Sequence, residues 1–150
     1  MAVPSNPARN GTSSDPKALQ AVFAAPWDIT FTPLDTCSLV VLTGDKCKRV
    51  RNATDRNAAD IIANYLVWLA ADDASKVNLA DQHSTTLFDP VAVYLAQRQG
   101  LCAMEKLNLR VTDDGCTVID PQGRQVNVAT KWKDLGAFEN FPVERLAGKK

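Results

Sequence analysis

The chain has 150 residues, 45% of them apolar and 23% charged, with 17 Lys and Arg balanced by 17 Asp and Glu. That length suits one domain with a sizeable core, and the charge balance removes the field that would gather nucleic acid or an anionic membrane surface. No apolar run is long enough to span a bilayer, and the N-terminus lacks the hydrophobic segment of a secretion signal, so the expected setting is cytoplasmic.

The first 14 residues are rich in Pro, Ser, Asn and Gly and read as an irregular leader. Asp15-Pro16 then has the form of a helix start, with a carboxylate to accept from free backbone N–H groups and a proline where no hydrogen bond is lost. Ala18, Leu19, Val22 and Phe23 follow at helical spacing until Pro26. Residues 27–34 alternate, with Ile29 and Phe31 against Thr30 and Thr32, and predict a strand that Pro33 ends or confines to an edge. The apolar run 39–42 fits either a buried strand or a lead into a helix capped by Thr43, with Leu42 and Cys47 as a hydrophobic staple. Lys46, Lys48, Arg49 and Arg51 have no interleaved aromatics and read as a solvated helix face.

The clearest helix is 57–71, where Ile61, Ile62, Tyr65, Leu66, Trp68 and Leu69 make a broad apolar side that wants more than one neighbour. After a polar connection comes STTLFDPVAVYLA, residues 84–96, in which Asp89-Pro90 repeats the opening signal of Asp15-Pro16. A carboxylate at the positive end of a helix suits a metal or a hydroxylated ligand, although an ordinary cap is the commoner role. Tyr94 and Leu95 continue the core stripe of this helix. From Leu107 the period becomes two. Residues 107–111, 116–119 and 125–129, joined by turns at Asp113-Asp114-Gly115 and 120–123, predict a small β-meander. Asp134 caps a final helix, which Pro142 bends or shortens.

Cys37, Cys47, Cys102 and Cys116 are widely spaced without a CxxC pair, and the sole His83 is near none of them in sequence. They therefore read as small core or surface residues and not as a zinc or redox site.

Taken in order, these pieces resemble the C-terminal portion of the inosine/uridine-preferring nucleoside hydrolases. SDPKALQAVF is similar to the helix after that family's substrate-contacting loop and WDITFTPLDTC to the following strand. TTLFDPVAVYLA is similar to its late metal-ligand segment, and LRVTDDGCTVIDPQGR with NVATKWKD to its terminal strands. The likeness covers about residues 13–146 and implies an α/β fold, an open and mainly parallel sheet flanked by helices, here a truncated domain over 15–150 ending in the meander. It implies hydrolysis of the N-glycosidic bond of a ribonucleoside to base and ribose, as part of purine and pyrimidine nucleoside metabolism. Ca²⁺ would bind the ribose hydroxyls and the attacking water, and Asp89 would be its late ligand.

Three departures accompany the likeness. The family's Asp-rich loop, which supplies the general base and most metal ligands, has no counterpart, and Ca²⁺ takes roughly six to eight oxygen ligands. Phe88 stands where the family has a His that protonates the leaving base, and His83 lies too early to replace it. Where the family has Glu-x-Asn for the ribose, the aligned residues are Arg9 and Gly11, so Asn10 is the substrate contact only with a register slip. No catalytic residue is assigned, and turnover by the isolated chain is expected to be weak or absent. The alternative is a non-catalytic binding or assembly module, or a truncated gene product, that retains part of the fold and self-associates through an exposed sheet edge.

Overall fold

The computed structural model describes residues 15–72, 77, 80 and 82–148, so the leader and Asn10 lie outside the described residues. Its centre is an antiparallel ladder between β2 (Cys102–Val111) and β4 (Arg124–Trp132), with β3 (Thr117–Ile119) on the far side of β2. On the other side, β1 (Thr30–Phe31) pairs with β4 in parallel, Thr30 opposite Asn127, giving the order β1-β4-β2-β3. The open sheet flanked by helices is as expected, but the described sheet is mostly antiparallel with a single parallel pair. The three strands predicted as a meander are present but in another order. β3 and β4 both pair antiparallel with β2, on its opposite sides, and not with each other, because the long β2–β4 ladder takes the edge a meander would leave free.

Strand periodicity divides the apolar residues between the two faces of the sheet. Leu107, Leu109 and Val111 join Val126 and Val128 on one face, where Phe23 and Leu19 of α1 (Pro16–Ala24) cover them. Cys102, Met104 and Ala129 lie in a separate core with α2 (Leu34–Cys37), α5 (Phe88–Gln97) and α6 (Leu135–Ala147). Tyr94 and Phe138 meet edge to face there, with ring centroids 5.3 Å apart, and Trp132 lies 4.6 Å from Phe138. A smaller cluster of Leu42, Val50 and Val143 docks α3 (Gly44–Arg51) on α6, with Ile62 of α4 (Arg56–Asp72) at its margin.

The caps follow the predicted chemistry at two helices. Asp15 accepts from the Ala18 N–H at 2.9 Å ahead of Pro16, and Asp134 accepts from the Ala137 N–H at 2.8 Å. Elsewhere packing revises the local signals. The predicted strand 27–34 contracts to two residues, because Pro33 has no N–H to donate and instead occupies the N-cap of α2. The run 39–42 becomes neither strand nor helix. It lies along the lead-in to α5, with Leu87 N–H donating to the Val40 carbonyl and Ser84 N–H to that of Leu42, both at 2.9 Å. Thr43 is the N-cap of α3 by position but makes no side-chain cap bond, whereas Leu42 and Cys47 do share a cluster. Helix α3 is not simply solvated either: Lys46 pairs with Glu139 of α6 at 2.6 Å and Arg49 donates to the Gly148 carbonyl. Pro142 sits inside α6 without ending it, since Phe138 and Val143 on either side are fully buried and hold both halves.

One side chain ties the end of α1 to the sheet. The Arg124 guanidinium donates to the carbonyls of Phe23, Ala25 and Trp27, just before β1 begins. The next turn back is equally constrained: a Cβ on Gly123 would stand 2.5 Å from the carbonyl carbon and oxygen of Leu109. Gly123→Ala should therefore destabilise the fold by about 1–3 kcal/mol, the usual cost of overpacking, read as a lower urea midpoint at unchanged m-value.

The same turn carries a pH-sensitive pair. Asp120 accepts from Arg110 Nε at 2.6 Å and from the Gln122 N–H, and these bonds hold its carboxyl below the ordinary range. A depressed carboxylate stabilises the folded state above its unfolded pKa, 3.8 here, and that contribution disappears as pH falls through the folded value. Urea midpoints measured from neutral to strongly acidic pH should thus fall less steeply below 3.8 in Asp120→Asn than in the parent chain.

Candidate functional site

In open α/β sheets, ligands gather beyond the carboxyl ends of parallel strands. Here that place is where β1 gives way to Thr32, Pro33 and α2. Helix α2 is pinned to the sheet from both directions. The buried Thr36 hydroxyl donates to the Ala129 carbonyl at 2.8 Å, and Trp132 Nε1 donates to the Thr36 carbonyl at 2.9 Å. Helix α5 arrives beside it, packed on α2 and β1. Its entry is fixed by the lead-in along 40–44 and by Tyr65 of α4, whose hydroxyl accepts from the Thr85 N–H at 2.8 Å.

Each of these helices carries a carboxylate in its first turn, Asp35 in α2 and Asp89 in α5. Both act on the thiol of Cys37. Burial is the main cause that pushes this thiol above its ordinary pKa, and the charges of Asp35 and Asp89 push the same way. Thr32 opposes them, lying close enough to the sulfur to favour its ionised form. Its Oγ1 nevertheless has no hydrogen bond of acceptable geometry among the described residues, so the contact is a proximity only. The Thr32 hydroxyl and the Cys37 thiol therefore lie together at the end of β1, within range of the charges of Asp35 and Asp89.

The expected role of Asp89 as N-cap is corrected by this geometry. Leu87 occupies the N-cap and Asp89 lies inside the first turn, where it makes no cap bond. Pro90 still costs no hydrogen bond, because the N–H groups of the first turn have no intrahelical acceptor. The displacement by two residues follows from the Leu87 N–H bond to Val40, which starts the helix early. Asp89 is exposed and has no hydrogen bond or ion pair among the described residues, and Phe88 beside it is 43% exposed. His83 is an exposed loop residue bridged to Thr43, with Nδ1 3.0 Å from the Ser84 carbonyl.

Among the described residues no group of three or more His, Cys, Asp or Glu could hold a metal ion. Asp89 and Asp35 fall well short of a calcium ligand set even together, so these residues do not by themselves fit the ion. The cysteines add nothing to that account: all four are free thiols, and burial raises the pKa of Cys37 and Cys102. A cleft of about 510 Å³ lined by Asp45, Lys48, Arg49, Asn52 and Thr54 includes none of the predicted site residues. Asp35, Thr32 and Cys37 were not singled out by the sequence reading. The available signal was an acid two residues after Pro33, a helix-start pattern.

Sheet, flanking helices and a carboxylate-bearing strand end define an α/β protein of the open-sheet kind. The family model for inosine-uridine preferring nucleoside hydrolase matches residues 12–140, and the chain belongs to that family. Among solved structures, a plant nucleoside hydrolase superposes with a TM-score of 0.73 at 18% identity, covering 92% of this chain and 47% of that one. The inosine-uridine preferring nucleoside hydrolase of Bacillus anthracis gives 0.57 at 22% identity, covering 91% and 41%. The chain thus spans somewhat less than half the length of these structures. No curated protein matches it. Among the described residues no helix is long and apolar enough to cross a membrane.

The site depends on α2 staying on β4. Replacing Thr36 by Val keeps the shape but leaves the Ala129 carbonyl unsatisfied in the core. It should destabilise the fold by about 1–3 kcal/mol in a urea titration.

Proposed function

We propose that this chain is the Asp89-bearing part of a ribonucleoside N-ribohydrolase, without N-glycosidic turnover of its own. The observation that carries this reading is the isolation of Asp89: it sits exposed at a helix start where the family resemblance expects the late calcium ligand, and no metal-binding cluster accompanies it among the described residues. Breaking an N-glycosidic bond builds oxocarbenium character on the sugar and needs an activated water and a proton for the leaving base. The 150 residues contain no Asp-rich loop for the first task, and Phe88 carries no proton for the second. Asp89, in this reading, contributes one oxygen ligand to a Ca²⁺ whose other ligands come from elsewhere, and Asn10 is the candidate ribose contact within the chain. The setting is cytoplasmic purine and pyrimidine nucleoside metabolism.

A second reading, an assembly module, is favoured by Val67, Trp68 and Val93, which stand exposed on α4 and α5. Self-association would use this surface and the side of β1 that pairs with no strand among the described residues.

Purified chain incubated with inosine or uridine and Ca²⁺ should release no reducing sugar above the protein-free rate. Chelator-sensitive turnover would overturn the first reading. In calorimetric titration with Ca²⁺, any heat of binding should disappear in Asp89→Ala, and binding unchanged by that substitution would remove Asp89 from the metal site.

A further inference from the structure

Lys46 and Val50 account for how α3 is held, the first pairing with Glu139 and the second packing in the cluster with Val143. Another side of the helix is left over. Asp45, Lys48, Arg49 and Asn52 follow one another at the spacing that puts side chains on one helical face. Together with Thr54, in the link to α4, and Ala147, at the end of α6, they line the cleft of about 510 Å³. That volume is in the range of small-molecule sites, about 300 to 1,000 Å³.

The polar groups around the cleft are largely uncommitted. Asp45 precedes Lys48 and Arg49 at the spacing where opposite charges meet along a helix, yet it pairs with neither among the described residues. The side chains of Lys48, Asn52 and Thr54 make no hydrogen bond among the described residues either. Arg49 is directed to the end of α6 by one N–H, which donates to the Gly148 carbonyl at 2.9 Å, and its guanidinium keeps further donors. Compensation of the helix dipole accounts for an acid in the first turn and bases in the last. It does not account for the cleft that all of them border.

We propose that this cleft binds the phosphate monoester of a hydroxylated sugar, free or within a nucleotide. Lys48 and Arg49 hold the phosphate oxygens through charge-assisted hydrogen bonds, and Asn52 and Thr54 add neutral ones. Asp45 has the other task. Its carboxylate accepts from sugar hydroxyls, and its charge works against inorganic phosphate alone or a polyphosphate extending past the cations. Helix α5 contributes nothing to the cleft, so the proposal does not rest on the N-ribohydrolase reading or on Asp89.

The test is calorimetric titration of the full chain at low salt, where screening is least, with ribose 5-phosphate, uridine 5′-monophosphate, ribose and inorganic phosphate. One or both esters should bind, the tighter one identifying the source of the sugar phosphate. Inorganic phosphate should bind more weakly, and ribose should give no heat. Lys48→Gln should weaken the esters about tenfold or more, as loss of a charge-assisted hydrogen bond requires. Asp45→Asn should narrow the gap between ribose 5-phosphate and inorganic phosphate, and Asp89→Ala should change neither. Both Asp45 and Lys48 are exposed, and amide NMR shifts of the parent chain, expected within residues 45–54, locate the site without any substitution. No binding of either ester, affinity unchanged in Lys48→Gln, or ribose bound as tightly as its phosphate would each overturn the proposal. So would binding lost in Asp89→Ala, or amide shifts confined to other residues.

Discussion

The ladder between β2 and β4 carries two apolar surfaces at once, and the placement of the described helices follows from them. On one surface Leu109, Val111, Val126 and Val128 hold α1 through Phe23. On the other, Cys102 and Ala129 gather α2, α5 and α6 around Phe138, and α3 docks in turn on α6. Burying such a ladder on both sides is the main favourable term for a chain of this size, since loss of apolar surface dominates folding. It also explains why β1 needs only two residues: β4 aligns it, Arg124 holds the approach to it, and Thr36 fixes the exit from it.

What the site has of chemistry follows from that arrangement. Asp35 and Asp89 are far apart in sequence and sit on different helices. Asp35 acts on the Cys37 thiol from within α2 itself, whereas Asp89 is brought within range of it by α5 packing on α2 and β1. Carboxylates so placed stay hydrated and available, because neither is consumed by a cap or an ion pair among the described residues. A cation would meet too few protein ligands there among the described residues.

Local chemistry made much of the fold legible. Asp15-Pro16 and Asp134 capped as read, because a side chain three residues from its N–H donor needs no tertiary help. The three strands were equally plain from alternation but their order was not, since β4 crosses to the other side of β2 instead of pairing with β3. Both long strands also extend beyond the predicted runs: β2 begins at Cys102, and β4 runs on to Trp132. Residues such as Lys106 and Lys131 mask the period there, and only pairing with the neighbouring strand reveals it. Asp89 shows the limit of the local signal. Asp before Pro correctly announced a helix, but the backbone bond from Leu87 to Val40, a contact distant in sequence, moved the start and left the carboxylate outside the cap. The helix start at Pro33 and Asp35 was a readable local signal, but the proximity of Asp89 to Cys37 was not, since no periodicity relates α2 to α5. Family membership, by contrast, was readable from the order of motifs, because that order survives where identity with matched structures is as low as 18%.

The Arg124 latch has a further consequence for how the molecule opens. One guanidinium answers carbonyls at the end of α1 and in the segment that leads to β1. Those carbonyls have their acceptor needs met by the sheet and not by their own helix. If α1 swings away it strands them and uncovers Leu109 and Val128 together, so partial detachment gains little over complete detachment. Helix α1 and strand β1 therefore behave as one cooperative unit hinged on β4. Amide hydrogens across both should exchange with a common opening free energy, while those of the β2–β4 ladder outlast them.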